Sequence, residues 1–371
     1  MGFNLFGTHI EESVNALQYG VKGDGKTNDT AALNALFASE HERIYLPAGT
    51  YIITGTLVIP FGKTVFGDGE STVIKLGYPY SLSSYTWRSE EGHLTNSPYL
   101  YVGGNCILSD FAVYGDSTQP KDEMQIAVLV HGDYTVCRNL TTRNINYFPE
   151  SVQDKVHPYG PINLCNGYGM FIFGANHVSV RDCRFFNNAY QGIGTEDAED
   201  VTIDKCYVGD SFRTGIQIHR GSKRIIVSGC IVNNTSEFKA SDITLHGAPG
   251  DGNVDRLTIS DCILGPRFGD PRVIFSISSI WGYENNIVIK GCNIQTAGMG
   301  INLCTDKQGT DSPTTNVCIT GNLIDSNRRC VTVDGDYVVV TGNLLFSDTA
   351  DISVTGEHKM VANNLYTNTG G

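Results

Sequence analysis

A repeat of about 26 residues is the feature of this sequence that most constrains its fold. The unit reads apolar-x-apolar-x-x-(Cys/Asn), and its last position recurs at Cys183, Cys206, Cys230, Cys262, Cys292, Asn322, Asn343 and Asn364. A second short strand follows about ten residues later, as at 192–196, 215–219, 242–246, 273–277 and 300–304. These short strands and this period predict a β-solenoid, because the leucine-rich signature is missing and a propeller blade needs about 40 residues.

The cysteines of this repeat are expected to pack in the interior. Coils of a solenoid lie about 4.8 Å apart, so residues at equivalent positions form ladders. The five cysteines from Cys183 to Cys292 should form a ladder of thiols without disulfides, continued by Asn322, Asn343 and Asn364. The chain has 11 cysteines, an odd number, and no C-x-x-C pair. We therefore expect small apolar side chains in a chain assembled in a reducing cytosol, and no metal site or cofactor.

Composition excludes several classes of protein. Of the 371 residues, 40% are hydrophobic and 18% are charged, which excludes a disordered chain. The net charge of -13 disfavours a nucleic-acid partner, because that affinity needs clustered Lys and Arg. No apolar run is long enough to predict a membrane span, and the N-terminus shows no pattern of a signal peptide.

The N-terminal third indicates how the solenoid begins. Residues 1–14 are expected to form an arm and residues 15–371 a single β-helix domain, with clear repeats over 169–371. A helix is predicted at about 29–39, because apolar residues recur there at helical spacing after an Asp or Asn cap. A short amphipathic helix can cover the open end of an apolar tube, as a terminal repeat must.

The same third carries a resemblance to a known family. The run Tyr19-Gly-Val-Lys-Gly-Asp-Gly-Lys-Thr-Asn-Asp-Thr30, followed by Tyr45-Leu-Pro-Ala-Gly-Thr-Tyr51 and Gly67-Asp-Gly69, resembles the opening of the pectate-lyase-like superfamily. The resemblance implies an all-β fold, a right-handed single-stranded parallel β-helix with a short N-terminal capping α-helix. Phage tailspike depolymerases are prominent in that superfamily. Their likeness implies a polysaccharide substrate, a homotrimer, and a place on a virion tail or outside the cell after non-classical release.

A rival motif lies in the same stretch. Residues 20–27 match the phosphate-binding pattern G-x-x-x-x-G-K-T letter for letter. Asp24 would place a negative charge in the phosphate cradle, and the rest of the chain lacks alternating helices. Nucleotide binding is therefore not expected.

Polar residues recur on one side of the second strands. Ile193, Ile216, Ile243, Ile274 and Ile301 occupy the second strand position and should face the interior. Two-residue alternation then turns the third and fifth positions outward. This places the candidate catalytic residues Glu196, His219 and His246 on consecutive coils, with Asp197 and Asp242 as further catalytic candidates and Gln217, Arg220, Thr244 and Asn302 as candidate substrate-binding residues.

Long insertions lie beside this column. They span residues 246–256, 278–286 and 305–316, and long loops between compact repeats are often functional. Trp281 and Tyr283 fall in the second insertion, where their rings could stack on sugars. Burial of the tryptophans at a subunit interface is the alternative.

Two reactions fit these residues. Glycoside hydrolysis needs two carboxyl groups, and Glu196 as the acid with Asp197 or Asp242 as its partner would supply them. A lyase or an epimerase needs a base and a cation that neutralises a uronic carboxylate, and His219 or His246 with Arg220 would serve. The acidic cluster 196–200 favours hydrolysis. The sequence therefore predicts a glycoside hydrolase that degrades a polysaccharide, with a lyase or epimerase, or a non-catalytic virion adhesin, as alternatives.

Overall fold

The computed structural model of the protein describes residues 12–84, 96–115, 124–146, 167–211, 214–233, 241–247, 252–265, 275–280, 283–296, 298–304, 314–347 and 352–367. The chain winds into a right-handed parallel β-helix. Each strand pairs in parallel with the equivalent strand of the coils before and after it. The strands form three faces around one apolar interior, and the predicted fold class is confirmed.

Face 1 carries the second strands of the repeat. Its strands are Leu57–Ile59, Asn96–Val102, Met124–Val130, Gly167–Phe173, Gln191–Glu196, Thr214–His219, Ser241–His246, Phe275–Ser279, Met299–Leu303, the first part of Val331–Thr341, and Ile352–Thr355.

Faces 2 and 3 carry the remaining strands. Face 2 holds Val14–Asn15, Arg43–Tyr45, Thr64–Phe66, the first parts of Ile107–Tyr114 and Val136–Arg143, Ser179–Arg181, Glu199–Asp204, Lys223–Ser228, Val254–Ser260, Glu284–Lys290, Thr314–Thr320, the second part of Val331–Thr341, and Lys359–Ala362. Face 3 holds Asp24–Asn28, Gly49–Ile53, Thr72–Leu76, the second parts of Ile107–Tyr114 and Val136–Arg143, Arg184–Phe186, Tyr207–Gly209, Ile231–Asn233, Ile263–Leu264, Asn293–Thr296, Leu323–Ser326, Leu344–Ser347, and Leu365–Thr367.

Isoleucines of face 1 stack in the interior as expected, with one correction. Ile193, Ile216 and Ile243 pair in register and are wholly buried. In the next coil, however, the residue that pairs with Ile243 is Ile277. The predicted strand 273–277, with Ile274 in the ladder, was therefore three residues out of register, and Ile274 lies outside the described residues.

The cysteine ladder is confirmed. Cys183, Cys206, Cys230, Cys262 and Cys292 are buried and free of disulfides. Each thiol follows a left-handed residue at the turn from face 2 to face 3 and donates toward a carbonyl of the previous coil, as Cys230 Sγ does to Ile203 O at 3.6 Å. Asn322 and Asn343 continue the ladder and add an acceptor, since Asn322 Oδ1 accepts from the Cys292 N–H at 2.9 Å.

A helix covers the first coils. Helix α1 spans Thr30–Phe37, within the predicted range, and buries Leu33, Leu36 and Phe37. The Asn34 side chain donates to Thr56 O at 2.9 Å and accepts from the Val58 N–H at 2.8 Å, which fixes the helix to the first strand of face 1.

An aspartate of the phosphate-binding pattern itself occupies the backbone donors of that pattern. One Asp24 carboxylate oxygen accepts the backbone N–H groups of Lys26 and Thr27 at 2.9 and 2.7 Å. These bonds hold the pKa of Asp24 at about 2, well below its usual value. The carboxylate therefore takes the donors that a phosphate would need.

No helix within the described residues is long and apolar enough to cross a bilayer.

Candidate functional site

The outer side of face 1 changes from apolar to polar along the solenoid. One outward row reads Tyr101, Leu129, Phe171, Gly194, Gln217, Thr244, Ser278 and Asn302, each in register with the next. Upstream, Phe171 packs with Ile126, Leu129 and Tyr168 in an apolar cluster separate from the core. Downstream, the row is polar, and the sequence-predicted site lies where the two parts meet.

Glu196 is held by an arginine of the next coil. Arg220 Nε donates to Glu196 Oε1 at 3.2 Å, and the two side chains are only 12% and 7% exposed. Thr195 pairs with Ile218, so Glu196 lies beside His219, as the sequence predicted. Because little water reaches this ion pair, its attraction is stronger than at an open surface, and removal of one partner would leave a poorly solvated charge.

The two histidines lie side by side. His219 and His246 are register partners, and their ring centroids are 5.4 Å apart. His219 is 9% exposed and also meets the Phe171 ring edge to face at 6.0 Å. Sequence alternation thus places both rings on the outer side of face 1, although most of the surface of His219 is covered.

Glutamine side chains hold these rings in place. Gln191 Nε2 donates to Gln217 Oε1 and lies 3.3 Å from His219 Nε2. Gln217 Nε2 lies 3.1 Å from His246 Nδ1. Each ring therefore has one nitrogen within hydrogen-bonding distance of a glutamine amide, which fixes the orientation of the ring.

Hydroxyl groups extend the network away from Glu196. Ser241 Oγ lies 2.8 Å from Ser278 Oγ, and Thr244 Oγ1 lies 3.4 Å from both Ser278 Oγ and Thr214 Oγ1. All four side chains are nearly buried. A row of hydroxyl and amide groups of this kind offers both donors and acceptors to a hydroxyl-rich ligand.

Asp242 does not join this site, which corrects the sequence prediction. It takes the strand position of Gly192 and Gly215, where an added Cβ would touch the core side chains of Val208 and Val232. The Asp242 side chain is 1% exposed and accepts from Ser276 Oγ at 2.7 Å. At this position the strand bends around the corner of the tube, so two successive residues face inward and strict alternation fails.

The other predicted residues lie at the edges of the site. Asp197 is exposed on the turn after Glu196, with a φ of 48°, and its N–H donates to Arg220 O at 3.1 Å. Asn302 is 7% exposed and pairs with Ser278, which lies two coils beyond Gln217. Tyr283 is half-buried against Gly247.

The predicted insertion 278–286 is shorter than expected. The strands Phe275–Ser279 and Glu284–Lys290 leave only residues 280–283 between them. Trp281 lies outside the described residues, as does most of the insertion 305–316. The connection between these two strands is therefore shorter than the insertion 278–286 that the sequence suggested.

Sequence reasoning missed Gln191, Ser241 and Glu284. Gln191 and Ser241 precede the corner bend. The two-residue alternation counted from the isoleucines therefore did not predict that their side chains face outward. Glu284 is fully buried and accepts from Ser279 Oγ at 2.7 Å and Thr314 Oγ1 at 2.9 Å. Glu284 occupies the strand position of Val254 in the previous coil. The repeat pattern alone does not show whether a glutamate at that position is buried or lies at the surface.

The arrangement supplies acid–base and hydrogen-bonding groups. One carboxylate, one guanidinium and two imidazoles lie within two coil spacings, beside a row of amides and hydroxyls. Among the described residues, no group of three or more His, Cys, Asp or Glu side chains is placed to hold a metal ion.

Comparison with known proteins places these features in context. A family model described as rhamnogalacturonase A/epimerase, pectate lyase-like, matches residues 13–237. The pre-neck appendage protein of Bacillus phage B103 is 22% identical over 245 residues, which are 63% of this chain and 27% of that protein. The chain thus spans little more than a quarter of the length of this curated relative.

Solved structures share the fold. An exopolygalacturonase of Thermotoga maritima matches with a TM-score of 0.67 at 12% identity, over 97% of this chain and 92% of its own. The surface adhesin PfbA of Streptococcus pneumoniae matches with a TM-score of 0.61 at 13% identity, over 96% of this chain and 92% of its own. At these identities the likeness shows the fold and leaves the reaction open.

Proposed function

Because the chain belongs to the rhamnogalacturonase A/epimerase family of pectate-lyase-like proteins, we propose that it is a polysaccharide depolymerase that acts on the outer side of face 1. The observation that carries the proposal is the nearly buried pair of Glu196 and Arg220 beside His219 and His246. Charged groups with so little exposure, outside the apolar core, are costly to fold unless they are paired, as Glu196 and Arg220 are, and such groups gather at functional sites.

Glycoside hydrolysis is the reaction we assign first. Glu196 lies 3.2 Å from the Arg220 guanidinium, and a carboxylate paired with a cation suits a nucleophile or a base better than the general acid that the sequence suggested. Asp197, on the turn beside it, is then the candidate for the second carboxyl group. Gln217, Thr244 and Asn302 would bind the hydroxyl groups of the sugar.

A lyase or epimerase is the second candidate, and the paired histidines favour it. His219 or His246 could take the proton beside a uronic carboxylate, and Arg220 could neutralise that carboxylate. Arg220 already pairs with Glu196, so a uronate would have to share the guanidinium. This competition is the reason for our preference for hydrolysis.

A glycan-binding appendage without catalysis is the alternative from another class. A phage pre-neck appendage protein and a bacterial surface adhesin are among the proteins that this chain resembles. On that basis we propose a place on a virion or outside the cell, with a polysaccharide partner in either case.

The test is incubation with capsular, lipopolysaccharide and plant polysaccharides, followed by product analysis. New reducing ends without unsaturated uronides indicate hydrolysis, and unsaturated uronides indicate a lyase. The variant Glu196→Gln should lower turnover by about 10³-fold or more, because it removes a reacting carboxylate. Glu199→Gln is the matched control, since Glu199 also pairs with an arginine, Arg224, but on face 2.

Each outcome decides a point. Full turnover in Glu196→Gln, His219→Ala and His246→Ala would remove the reaction from face 1. Binding of a polysaccharide by the wild-type protein with no product of either kind would favour the appendage without catalysis.

A further inference from the structure

A row of left-handed residues follows the corner between faces 1 and 2. Its members, which we call the corner row, are Tyr134, His177, Asp200, Arg224, Arg256, Asn286, Asn316 and Tyr337, one from each successive coil, and all have φ between 48° and 60°. At about 4.8 Å per coil the row is roughly 34 Å long. It lies on the opposite side of the corner from Glu196.

The tyrosines in this row have no backbone reason to be there. Left-handed φ favours Gly, Asn and Asp, and a bulky residue pays a conformational cost at that position. Yet Tyr134 is 62% exposed and Tyr337 is 56% exposed, so burial in the core does not offset this conformational cost for either ring. Exposed rings held at strained positions indicate a role in binding.

Aromatic pairs mark both ends of the row. Tyr134 stacks on His177 with ring centroids 4.7 Å apart, and Tyr337 stacks on His358 of the next coil with centroids 4.5 Å apart and planes 6° from parallel. These stacks hold flat, partly wet ring faces at the surface. Such faces suit the apolar side of a sugar ring.

A polar groove lies along the coils of Arg224 to Asn316, whereas nearer to His177 the row carries the ion pairs of Arg224 with Glu199 and Asp200. Its volume is about 620 Å³, and its lining is Lys223, Gly252, Asn253, Asp255, Asn285, Asn286 and Asn316. Asn316 Nδ2 donates to Asn286 Oδ1 at 3.1 Å, and Asn286 Nδ2 donates to Asp255 Oδ1 at 2.7 Å. The ladder fixes the two amides, and each Nδ2 retains a second N–H that the ladder does not use.

The charge of the groove selects the kind of ligand. Lys223 and Asp255 are register partners of opposite charge, and the other side chains that line the groove are neutral amides. The net charge of the chain is -13. A nucleic acid would need clustered positive charge, so a neutral, hydroxyl-rich strand fits this groove better.

The groove adjoins the turn that carries Arg220 but is distinct from the face 1 site. Gly252, in the groove wall, lies against Gly221, since an added Cβ on Gly252 would be 3.0 Å from the Gly221 backbone. Arg220 precedes Gly221 and reaches the other way, to Glu196. One turn therefore separates the two surfaces.

We propose that the corner row is a second glycan-binding surface, which holds a neutral polysaccharide strand along the solenoid axis by aromatic stacking at its ends and amide hydrogen bonds between them. The class of ligand rests on the proposed function, whereas the surface itself is independent of the reaction on face 1. A strand held there would remain close to Glu196 between cleavage events.

The test is affinity electrophoresis of the full chain in gels that contain a neutral β-glucan, a galactomannan, polygalacturonate or alginate. The variant Asn286→Gly/Asn316→Gly/Tyr337→Gly removes the side chains, and glycine suits the positive φ at all three positions, so the fold should persist. We expect about tenfold weaker binding to at least one neutral polymer. The matched control is Asn139→Gly/Asn363→Gly, which changes left-handed asparagines at another corner and should bind like the wild-type protein.

The outcomes separate this proposal from the proposed function. Glu196→Gln should keep its binding to the polymer but lose turnover, whereas the triple variant should lose binding and keep turnover of short oligosaccharides. Equal retardation of the triple variant and the wild-type protein, or no retardation by any of the four polymers, would overturn the second surface. Full turnover in Glu196→Gln would contradict the proposed function and leave the second surface unaffected.

Discussion

Glu196 and Glu284 are both nearly buried carboxyl groups, and the difference in their partners decides their chemistry. Glu196 has a guanidinium at 3.2 Å, which compensates its charge. Glu284 has hydroxyl and backbone donors, and burial raises its pKa to about 7, although the bonds from Ser279 and Thr314 act in the opposite direction. A cation thus compensates the charge of Glu196, whereas the side-chain donors to Glu284 are neutral hydroxyls.

The pKa of Glu284 predicts a loss of stability as pH rises. The folded state binds this proton more tightly than the unfolded state, so the contribution is fully present below the unfolded pKa near 4.5 and is lost as pH rises through about 7. The loss should reach about 3 kcal/mol. Glu284→Gln should remove this dependence. Urea unfolding at about pH 5 and about pH 8 would measure it, with the exposed Glu357→Gln as the control. Equal pH dependence in Glu284→Gln and the wild-type protein would contradict the assignment.

The thiol ladder predicts slow chemical modification in the native state. A neighbouring Cys230 thiol, together with burial, raises the pKa of Cys262 to about 12. A thiol of that kind is almost wholly protonated at neutral pH and is therefore a poor nucleophile. Titration with a disulfide reagent, followed by mass mapping, should find the five ladder cysteines unmodified in folded protein and modified after denaturation. Rapid labelling of any of them before unfolding would contradict the ladder.

At the scale of the repeating element, the interior position at the turn from face 2 to face 3 is occupied by one of two residue types. Five coils place a cysteine inside the turn, and the last three place an asparagine. The thiols contact carbonyls of the previous coil at 3.6–3.9 Å. Asn322 and Asn343 each donate to a carbonyl of the previous coil and also accept a backbone N–H of that coil. The asparagine coils are therefore fixed by stronger hydrogen bonds.

Removal of one asparagine should destabilise the C-terminal coils. In Asn322→Ala the buried Cys292 N–H loses its acceptor, which should cost about 1–3 kcal/mol. Chemical denaturation would measure this loss. Asn293→Ala changes an exposed asparagine next to the same turn and should lie within about 0.5 kcal/mol of the wild-type protein. A similar loss in both variants would mean that the ladder bond contributes little.

Element-scale reasoning from the sequence succeeded where the pattern repeats and failed where it is interrupted. The isoleucine and cysteine ladders followed from periodicity, since each coil buries the same positions. Asp242 was misplaced because the corner bend turns two successive residues inward. The register predicted for the strand of Ile277 was wrong, because either Ile274 or Ile277 could continue the isoleucine ladder and the sequence does not distinguish the two. The contacts of Gln191 depend on this same bend and could not be predicted from alternation.

At the scale of the whole molecule, two apolar rows remain on the surface beside the cysteine and asparagine turn. On face 3, Ile231, Ile263, Leu323, Leu344 and Leu365 share one row, and four of them are 37–64% exposed. On face 2, Ile226 and Met360 are 45% and 51% exposed in a row that also includes Val288, Cys318 and Val339. Asn293 lies between Ile263 and Leu323 in the first row, and Thr258 lies between Ile226 and Val288 in the second. Exposed apolar side chains grouped in this way are typical of an interface between chains.

These rows give the predicted homotrimer a physical basis, and the last prediction tests it. Three copies that pack side by side would cover the apolar rows and leave face 1 and the corner row open to glycan. Light scattering of the wild-type protein at micromolar concentration should give about three times the chain mass of 40.3 kDa. Ile231→Glu/Ile263→Glu/Leu323→Glu should give folded monomers, because these side chains point away from the core and charge would oppose their burial. Val58→Glu changes an apolar residue of similar exposure on face 1, outside the rows, and should remain trimeric. A monomeric wild-type protein, or a trimer that persists in the triple variant, would rule out assembly through these rows.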